Sequence, residues 1–467
     1  MPVLEWRSTM PVNVETLREW HARAGALERL TPPWQKTCAA GQGNGTRGGA
    51  SGETSGGTSG ETSDWIGGEA NLVDRPFAVW HHRRRFVARS EHESVMEDYL
   101  EFKLPFAGVG AIGNGRMRRE LERIFRFRHE RLRHDLERHA AFCDRPRLKV
   151  AVAGASGMVG SQFCSFLTSG GHEVRRLVRR TPASANEVHW DPARGEIDAA
   201  ALAGLDAVVN LAGENIGQRW SPQKRIAIKA SREQGTALLA QTLASLDAPA
   251  PALVNTSAVG YYGAGLSDAV LDEDSPAGND YLAEVCLAWE GATATARESG
   301  VRVVTPRFGV VMSAREGALA KQLRPYRLGA GGPVGSGKQW LSWVAPDDLV
   351  AIIYTLLYDN ELSGVVNAVA PQPVVNREFA RVLGRVVRRP AVLPLPALAV
   401  RGLFGEMGEV MLLRGQRVVP MRLQTNGFRW YYPDLEGALR FELGQGTDDT
   451  VQKTTSSAAK QMHDNTA

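Results

Sequence analysis

The sequence predicts an α/β protein: a doubly wound parallel sheet with a small C-terminal substrate lobe, preceded by an α+β segment. Three observations predict it. From Leu148 onward, short apolar runs alternate with helical stretches, the pattern of a sheet with helices on both faces. The runs LKVAVAG, DAVVNLAG, PALVNTSA and VRVVTPRFGVVM are continuous rather than alternating, as in strands buried on both sides. A glycine-rich turn, Gly154-Ala-Ser-Gly157-Met-Val-Gly160, follows the first run directly and opens a helical stretch, SQFCSFLTSG.

The chain of 467 residues allows about three domains. With 43% hydrophobic and 23% charged residues, it has the composition of a globular protein rather than a fibrous or wholly disordered one. The net charge of +4 is small, and 46 Arg against 9 Lys reads as a genomic bias, so no nucleic-acid partner is expected. Cys38, Cys143, Cys164 and Cys286 lie far apart with no ligand spacing, which predicts neither a metal site nor a disulfide framework. The N-terminus, MPVLEWRSTMPVNVETLREW, lacks the apolar core of a secretory signal. No stretch reaches the roughly 18 apolar residues of a membrane span. A cytoplasmic protein with no membrane partner is expected.

Taken in order, residues 41–63 are almost entirely Gly, Glu, Thr, Ser and other polar residues, too polar to repay the entropy of ordering, so a disordered insertion is predicted there. Trp65, Phe77, Trp80, Phe86, Phe102 and Phe106 then alternate with polar residues in a strand-like way. Met117, Leu121, Ile124, Phe125, Leu132 and Leu136 follow at three- and four-residue steps, one apolar face on a long Arg-rich helix. The boundaries predicted are 1–146 for this module, 147–370 for a cofactor domain, 371–441 for a C-terminal domain completing the substrate lobe, and 442–467 for a disordered tail.

The glycine turn carries the strongest chemical signal. Gly154 suits a tight strand-to-helix turn, Gly157 leaves room for a pyrophosphate to approach the backbone, and Gly160 lets the helix pack on the strand. The helix N-terminus then offers free N–H groups and a positive dipole end. The next strand ends Leu177-Val178-Arg179-Arg180, where an NAD site has Asp or Glu to accept from the ribose 2′-hydroxyl. Two guanidinium groups suit a 2′-phosphate, so the cofactor expected is NADP(H). Gly332 to Lys338 comes close to a phosphate loop, but Gln339 replaces the Ser or Thr that would hold magnesium. It is expected to be a glycine-rich loop lining the substrate cleft.

The turn combines with NLAGENIGQRW, NTSAVGYYG, DYLAEVCLAWE, PRFGVV, GSGKQWLSWVAPDDLV and GVVNAVAP into an ordered series. This series resembles the extended short-chain dehydrogenase/reductases, in particular their nucleoside-diphosphate-sugar epimerase-like branch. The stretch RPAVLPLPALAVRGLFGEMGEVMLLRGQRVVPMRLQTNGFRWYYPDLEGAL resembles the C-terminal domain of unknown function in that branch. The resemblance implies a Rossmann-type sheet. It implies that Gly154, Ser156, Gly157, Met158 and Val159 contact the pyrophosphate, with Arg179 and Arg180 near the 2′-phosphate. It further implies that Leu211, Ala212 and Gly213 pass under the cofactor, that Glu214 faces a substrate, and that Arg307 lies near the nicotinamide half.

Typical members of the wider superfamily reduce a carbonyl with a Tyr-x-x-x-Lys pair one helical turn apart, assisted by a Ser hydroxyl. Here the matching stretch runs from Tyr281 to Val285: the tyrosine is present and the lysine is not. Without a cation, Tyr281 is expected to stay near the free value of about 10, and Glu284 to raise it. The catalytic candidates are therefore Ser257, Tyr262 and Tyr281, with aromatic lining or packing as the other reading of the tyrosines. Lys338 and Trp340, beside Gln339 and Trp343, either grip an anionic or sugar-like substrate or pack a domain interface. Asp347-Asp348 reads as the start of a helix.

FAVWHHRRRF, DYLEFKLPF and the long helix resemble the START-like or polyketide-cyclase family, which implies a helix-grip domain whose sheet encloses an apolar cavity. The insertion at 41–63 falls where strands of such a sheet belong. His81, His82, His129, His134 and His139 are expected at the surface or on helix faces. The function expected is NADP(H)-dependent hydride transfer with a small carbonyl or nucleotide-sugar-like substrate. A non-catalytic NADP-binding sensor or scaffold is the alternative, and a hydrophobic ligand at the N-terminal module is a third reading. The sequence leaves the oligomeric state open.

Overall fold

The computed structural model describes residues 2–35, 65–67, 79–104, 110–246 and 252–445. The insertion predicted at 41–63 and Cys38 lie outside them. The described residues divide between two compact units, 2–19 with 30–137 and 20–29 with 138–445. Residues 20–29 and 138–146, assigned to the N-terminal module on sequence, thus belong to the second unit. Arg29 shows why: its Nη2 pairs with Asp347 Oδ1 at 3.2 Å and its Nη1 donates to Gln162 at 3.1 Å, both residues of that unit.

In the first unit, β1 (Val3–Met10), β2 (Trp65–Gly67), β3 (Val79–Ala88) and β4 (Ser94–Lys103) form an antiparallel sheet in the order β1-β4-β3-β2. In the chain, α1 (Val14–Ala22) and α2 (Ala26–Arg29) precede β2, and the long helix α3 (Gly110–Ala140) follows β4. The apolar face read from the sequence is the one α3 buries: Leu121, Ile124 and Phe125 pack with Leu4, Trp6, Leu100 and Phe102 of the sheet. Trp6 stacks on Phe125 at 4.1 Å.

The histidines require a correction. His81 is exposed, but His129, His134 and His139 are buried. His129 Nε2 meets Asp98 Oδ2 at 2.8 Å and its Nδ1 meets Ser8 Oγ at 2.9 Å. His82 Nε2 and Arg84 Nε reach Asp98 Oδ1 at 2.7 and 2.8 Å. Burial alone would raise the Asp98 pKa, yet Arg84 and the two histidines hold it well below the usual carboxylate range. A buried charge is tolerable only when paired and hydrogen-bonded in this way.

In the second unit, the apolar runs form the predicted strands. β5 (Lys149–Ala153), β6 (Glu173–Val178), β7 (Glu187–Asp191), β8 (Glu196–Ile197), β9 (Ala207–Asn210), β10 (Ala252–Asn255), β11 (Ser257–Ala258), β12 (Arg302–Phe308) and β13 (Gly364–Ala368) make one sheet. The order is β11-β12-β10-β9-β5-β6-β7-β8, with β13 also beside β12. Every pairing is parallel except that of β8 with β7. Val150 and Val152 pack under α4 (Met158–Ser169) and α7 (Pro346–Tyr358). Ala151 and Ala153 face the opposite core, which includes Leu239 and Leu243 of α5 (Pro222–Ser245). This is a Rossmann-like α/β fold.

The lobe beyond residue 370 carries the helices Asn376–Val387, Ala397–Phe404, Glu406–Leu412 and Leu435–Glu442. The predicted tail starts too early: Glu442 and Leu443 are buried, and Glu442 Oε1 accepts from the Ala314 N–H at 2.8 Å. Asp347 and Asp348 open α7 as predicted. Asp348 accepts from the Tyr431 and Tyr432 N–H groups at 2.6 and 3.1 Å, and burial pushes its pKa up to about 7.

Candidate functional site

Parallel strands bring all their carboxyl ends to one edge, where ligands of such sheets bind. Two rows of residues lie in register there. Ala153, Asn210 and Asn255 face each other across β5, β9 and β10, and Ser257, Arg307 and Asn367 across β11, β12 and β13.

The glycine turn sits beyond the first row. Gly154 has φ +73°, a conformation that glycine alone adopts freely, and a Cβ there would lie 2.7–2.8 Å from the Leu211 and Ala212 backbone. A Cβ at Gly160 would run into the Gly154 carbonyl, so this residue is what lets α4 close on β5. Gly157 differs. Its φ of −72° suits any residue, and its nearest neighbour to an added Cβ is the Gly154 oxygen at 3.3 Å. No side chain caps α4, which leaves its first N–H groups for an anion. The turn therefore fits a pyrophosphate: tight where the chain must cross itself and open where a ligand must approach.

At the end of β6 the two predicted arginines differ. Arg180 Nη1 pairs with Glu187 Oε2 of β7 at 2.8 Å. Arg179 is exposed and has no hydrogen bond or ion pair among the described residues. No carboxylate occupies the end of the strand itself.

Leu211 and Ala212 follow β9 beside Gly154. The Glu214 carboxylate pairs with Lys224 of α5, whose hydrogen bond holds its pKa below the usual value.

Of the catalytic candidates, the structure brings Ser257 and Tyr262 together around Arg307 and keeps Tyr281 apart. Arg307 is buried. Its Nε and Nη2 donate to Glu290 at 2.8 and 2.9 Å, its Nη1 donates to Tyr262 Oη at 3.0 Å, and its guanidinium lies 3.3 Å from the Tyr261 ring centre. Burial alone would lower the Arg307 pKa, but the hydrogen bonds and charge of Glu290 outweigh it and hold the cation. Ser257 Oγ donates to Glu290 Oε1 at 2.7 Å, and Tyr262 Oη donates to Asn367 Oδ1 at 2.8 Å. Burial pushes Tyr262 up to about 12.

Tyr281 opens α6 (Tyr281–Gly291), nine residues before Glu290 and so about 13 Å from it along the axis. Its hydroxyl donates to the Arg225 carbonyl at 2.7 Å, and the Arg225 guanidinium lies 4.2 Å from its ring centre. Burial raises its pKa. Val285, at the lysine position, is buried with Trp220, Ile228 and Met407.

The loop before α7 serves the lobe. Gln339 is buried and donates to the Val334 and Leu412 carbonyls at 2.9 and 2.7 Å, and Trp343 is fully buried. Trp340 donates to Asp268 at 2.8 Å and lies under Arg417. Lys338 is exposed. Among the described residues no cluster of His, Cys, Asp or Glu could hold a metal, and no helix is long and apolar enough to cross a membrane.

Sequence reasoning missed Glu290, Asn367, Asn210 and Asn255. A signal existed: Glu290, Asn367 and Asn210 are each a lone polar residue in an apolar run, CLAWEG, GVVNAV and AVVNLA, and Asn255 ends the run ALVN; a buried polar residue is the informative exception in a core.

A parallel sheet wound with helices, joined to an uncapped helix N-terminus at a glycine turn, is the frame of a dinucleotide-binding protein. Residues 150–368 match the NAD dependent epimerase/dehydratase family, and residues 395–442 match a domain of unknown function, DUF1731. The chain is 43% identical over 293 residues to the epimerase family protein Mb2239 of Mycobacterium bovis, covering 62% of this chain and 96% of that protein. The crystal structure of a nucleoside-diphosphate sugar epimerase from Corynebacterium glutamicum superposes with a TM-score of 0.72 at 29% identity, over 95% of this chain and 90% of that one. The human epimerase family protein SDR39U1, solved with NADPH, does so with a TM-score of 0.59 at 37% identity, over 64% and 100% of the two chains. The chain belongs to the NAD dependent epimerase/dehydratase family. The family matches begin at residue 150 and lend no support to a START-like or polyketide-cyclase module before it.

Proposed function

We propose that the protein is an NADP(H)-dependent oxidoreductase acting by hydride transfer on a small carbonyl or nucleotide-sugar-like substrate. The observation that carries the cofactor choice is Arg179, an unpaired guanidinium at the end of β6 where an NAD site has a carboxylate. The NADPH in the human relative supports the same choice.

Gly154, Ser156, Gly157, Met158 and Val159 hold the pyrophosphate against the amide end of α4, Gly160 closes that helix on its strand, and Arg179 takes the 2′-phosphate. Leu211, Ala212 and Gly213 support the cofactor from the end of β9. The bound nicotinamide supplies hydride. Tyr281 is the hydroxyl that exchanges the Arg225 carbonyl for a substrate oxygen, with Glu214, Lys338 and Trp340 on the substrate side. Ser257, Tyr262 and Arg307 hold the wall behind them through Glu290 and Asn367.

A second reading, an NADP-binding sensor or scaffold without turnover, has its own support: all three candidate hydroxyls donate within the protein, and position 285 is apolar. Oxidation of NADPH across a panel of carbonyl and nucleotide-sugar substrates separates the two. Turnover that falls at least about 100-fold in Tyr281→Phe, with NADPH affinity unchanged, is the expected result. Saturable NADPH binding with no turnover of any substrate favours the sensor.

A further inference from the structure

We infer that Arg232 is a second cation of the dinucleotide site, taking a pyrophosphate oxygen at the end of β9. This rests on the dinucleotide reading above and adds a residue from α5 that no sequence motif marks.

Four cations project from the first three turns of α5. Lys224 pairs with Glu214, Arg225 with Glu406 at 3.2 Å, and Lys229 with Glu284 at 2.6 Å. Arg232 makes no ion pair among the described residues. Its Nη1 donates to the Glu214 and Ile228 carbonyls at 3.1 and 3.0 Å, and its guanidinium lies 4.9 Å from the Trp289 ring centre. Nε and Nη2 make no hydrogen bond among the described residues. The Glu214 carboxylate acts on it only through space, and a half-buried guanidinium with two open donors and no paired carboxylate is a ready seat for an anion.

Its position identifies the anion. A Cβ at Gly213 would lie 3.1 Å from the guanidinium carbon and from Nη2, so glycine is what admits the cation there. The same segment touches the glycine turn, since Gly154 abuts Leu211 and Ala212. The turn, the end of β9 and Arg232 therefore adjoin one another, with Nη2 and Nε of the fork beside Gly213. A planar fork with two free donors matches phosphate oxygens.

The test is titration of the full-length chain with NADPH and with NADH, in wild type, Arg232→Gln and Arg232→Lys, with thermal melts as the folding control. The pyrophosphate is common to both cofactors. The expected result is about 10-fold weaker binding of each in Arg232→Gln, an unchanged ratio between them, and a smaller loss in Arg232→Lys. Unchanged affinities in a folded Arg232→Gln would overturn the inference, as would a loss confined to NADPH. Failure of the wild type to bind either cofactor would overturn the dinucleotide reading instead.

Discussion

Replacing Glu290 with Ala is expected to destabilise the second unit by about 3–5 kcal/mol, the usual cost of stranding one member of a buried ion pair. Glu290 satisfies two donors of Arg307 and the Ser257 hydroxyl at once, and the Arg307 side chain is only 3% exposed. Without the carboxylate the guanidinium keeps Tyr262 and loses its counter-charge. Because Arg307 sits in register with Ser257 and Asn367, the loss loosens three strands and α6 together. Urea denaturation would measure it. The double change Glu290→Leu, Arg307→Met is expected to recover much of the stability, since it removes both charges rather than one. A single-variant cost below about 1 kcal/mol, typical of an exposed pair, would mean that the cluster does not organise the site wall.

Gly157→Val is expected to fold with near-wild-type stability and to bind NADPH about 100-fold more weakly, near 3 kcal/mol. The backbone at Gly157 is accessible to any residue, and an added Cβ meets protein only at 3.3 Å. What the side chain displaces is the ligand. Gly160→Val makes the contrast, because its Cβ collides with the Gly154 carbonyl and should damage folding itself. Circular dichroism and fluorescence titration on the two variants distinguish them. Unchanged NADPH affinity in Gly157→Val would place the pyrophosphate elsewhere.

Much of the second unit was legible because its strands are buried on both faces and announce themselves as continuous apolar runs. β7 was missed for the converse reason: EVHWD mixes apolar and polar residues, alternating half-buried and buried, and so shows no continuous run. That omission hid the partner of Arg180, since Glu187 lies on β7. Arg307 was visible as a motif residue, but its role depends on Glu290, which is distant in sequence and adjacent only in space. In the first unit the histidines of the Arg-rich helix read as surface or helix-face residues. Asp98, which gathers His82, Arg84 and His129 into the core, makes part of it an interior surface.

Cofactor selectivity tests the account most directly: the affinities of the full-length protein for NADPH and NADH, measured by calorimetry in wild type and Arg179→Ala. The free guanidinium of Arg179 predicts NADPH tighter by about 10-fold or more, with that preference lost in Arg179→Ala while NADH binding is unchanged. Equal affinities in the wild type, or a preference for NADH, would contradict it.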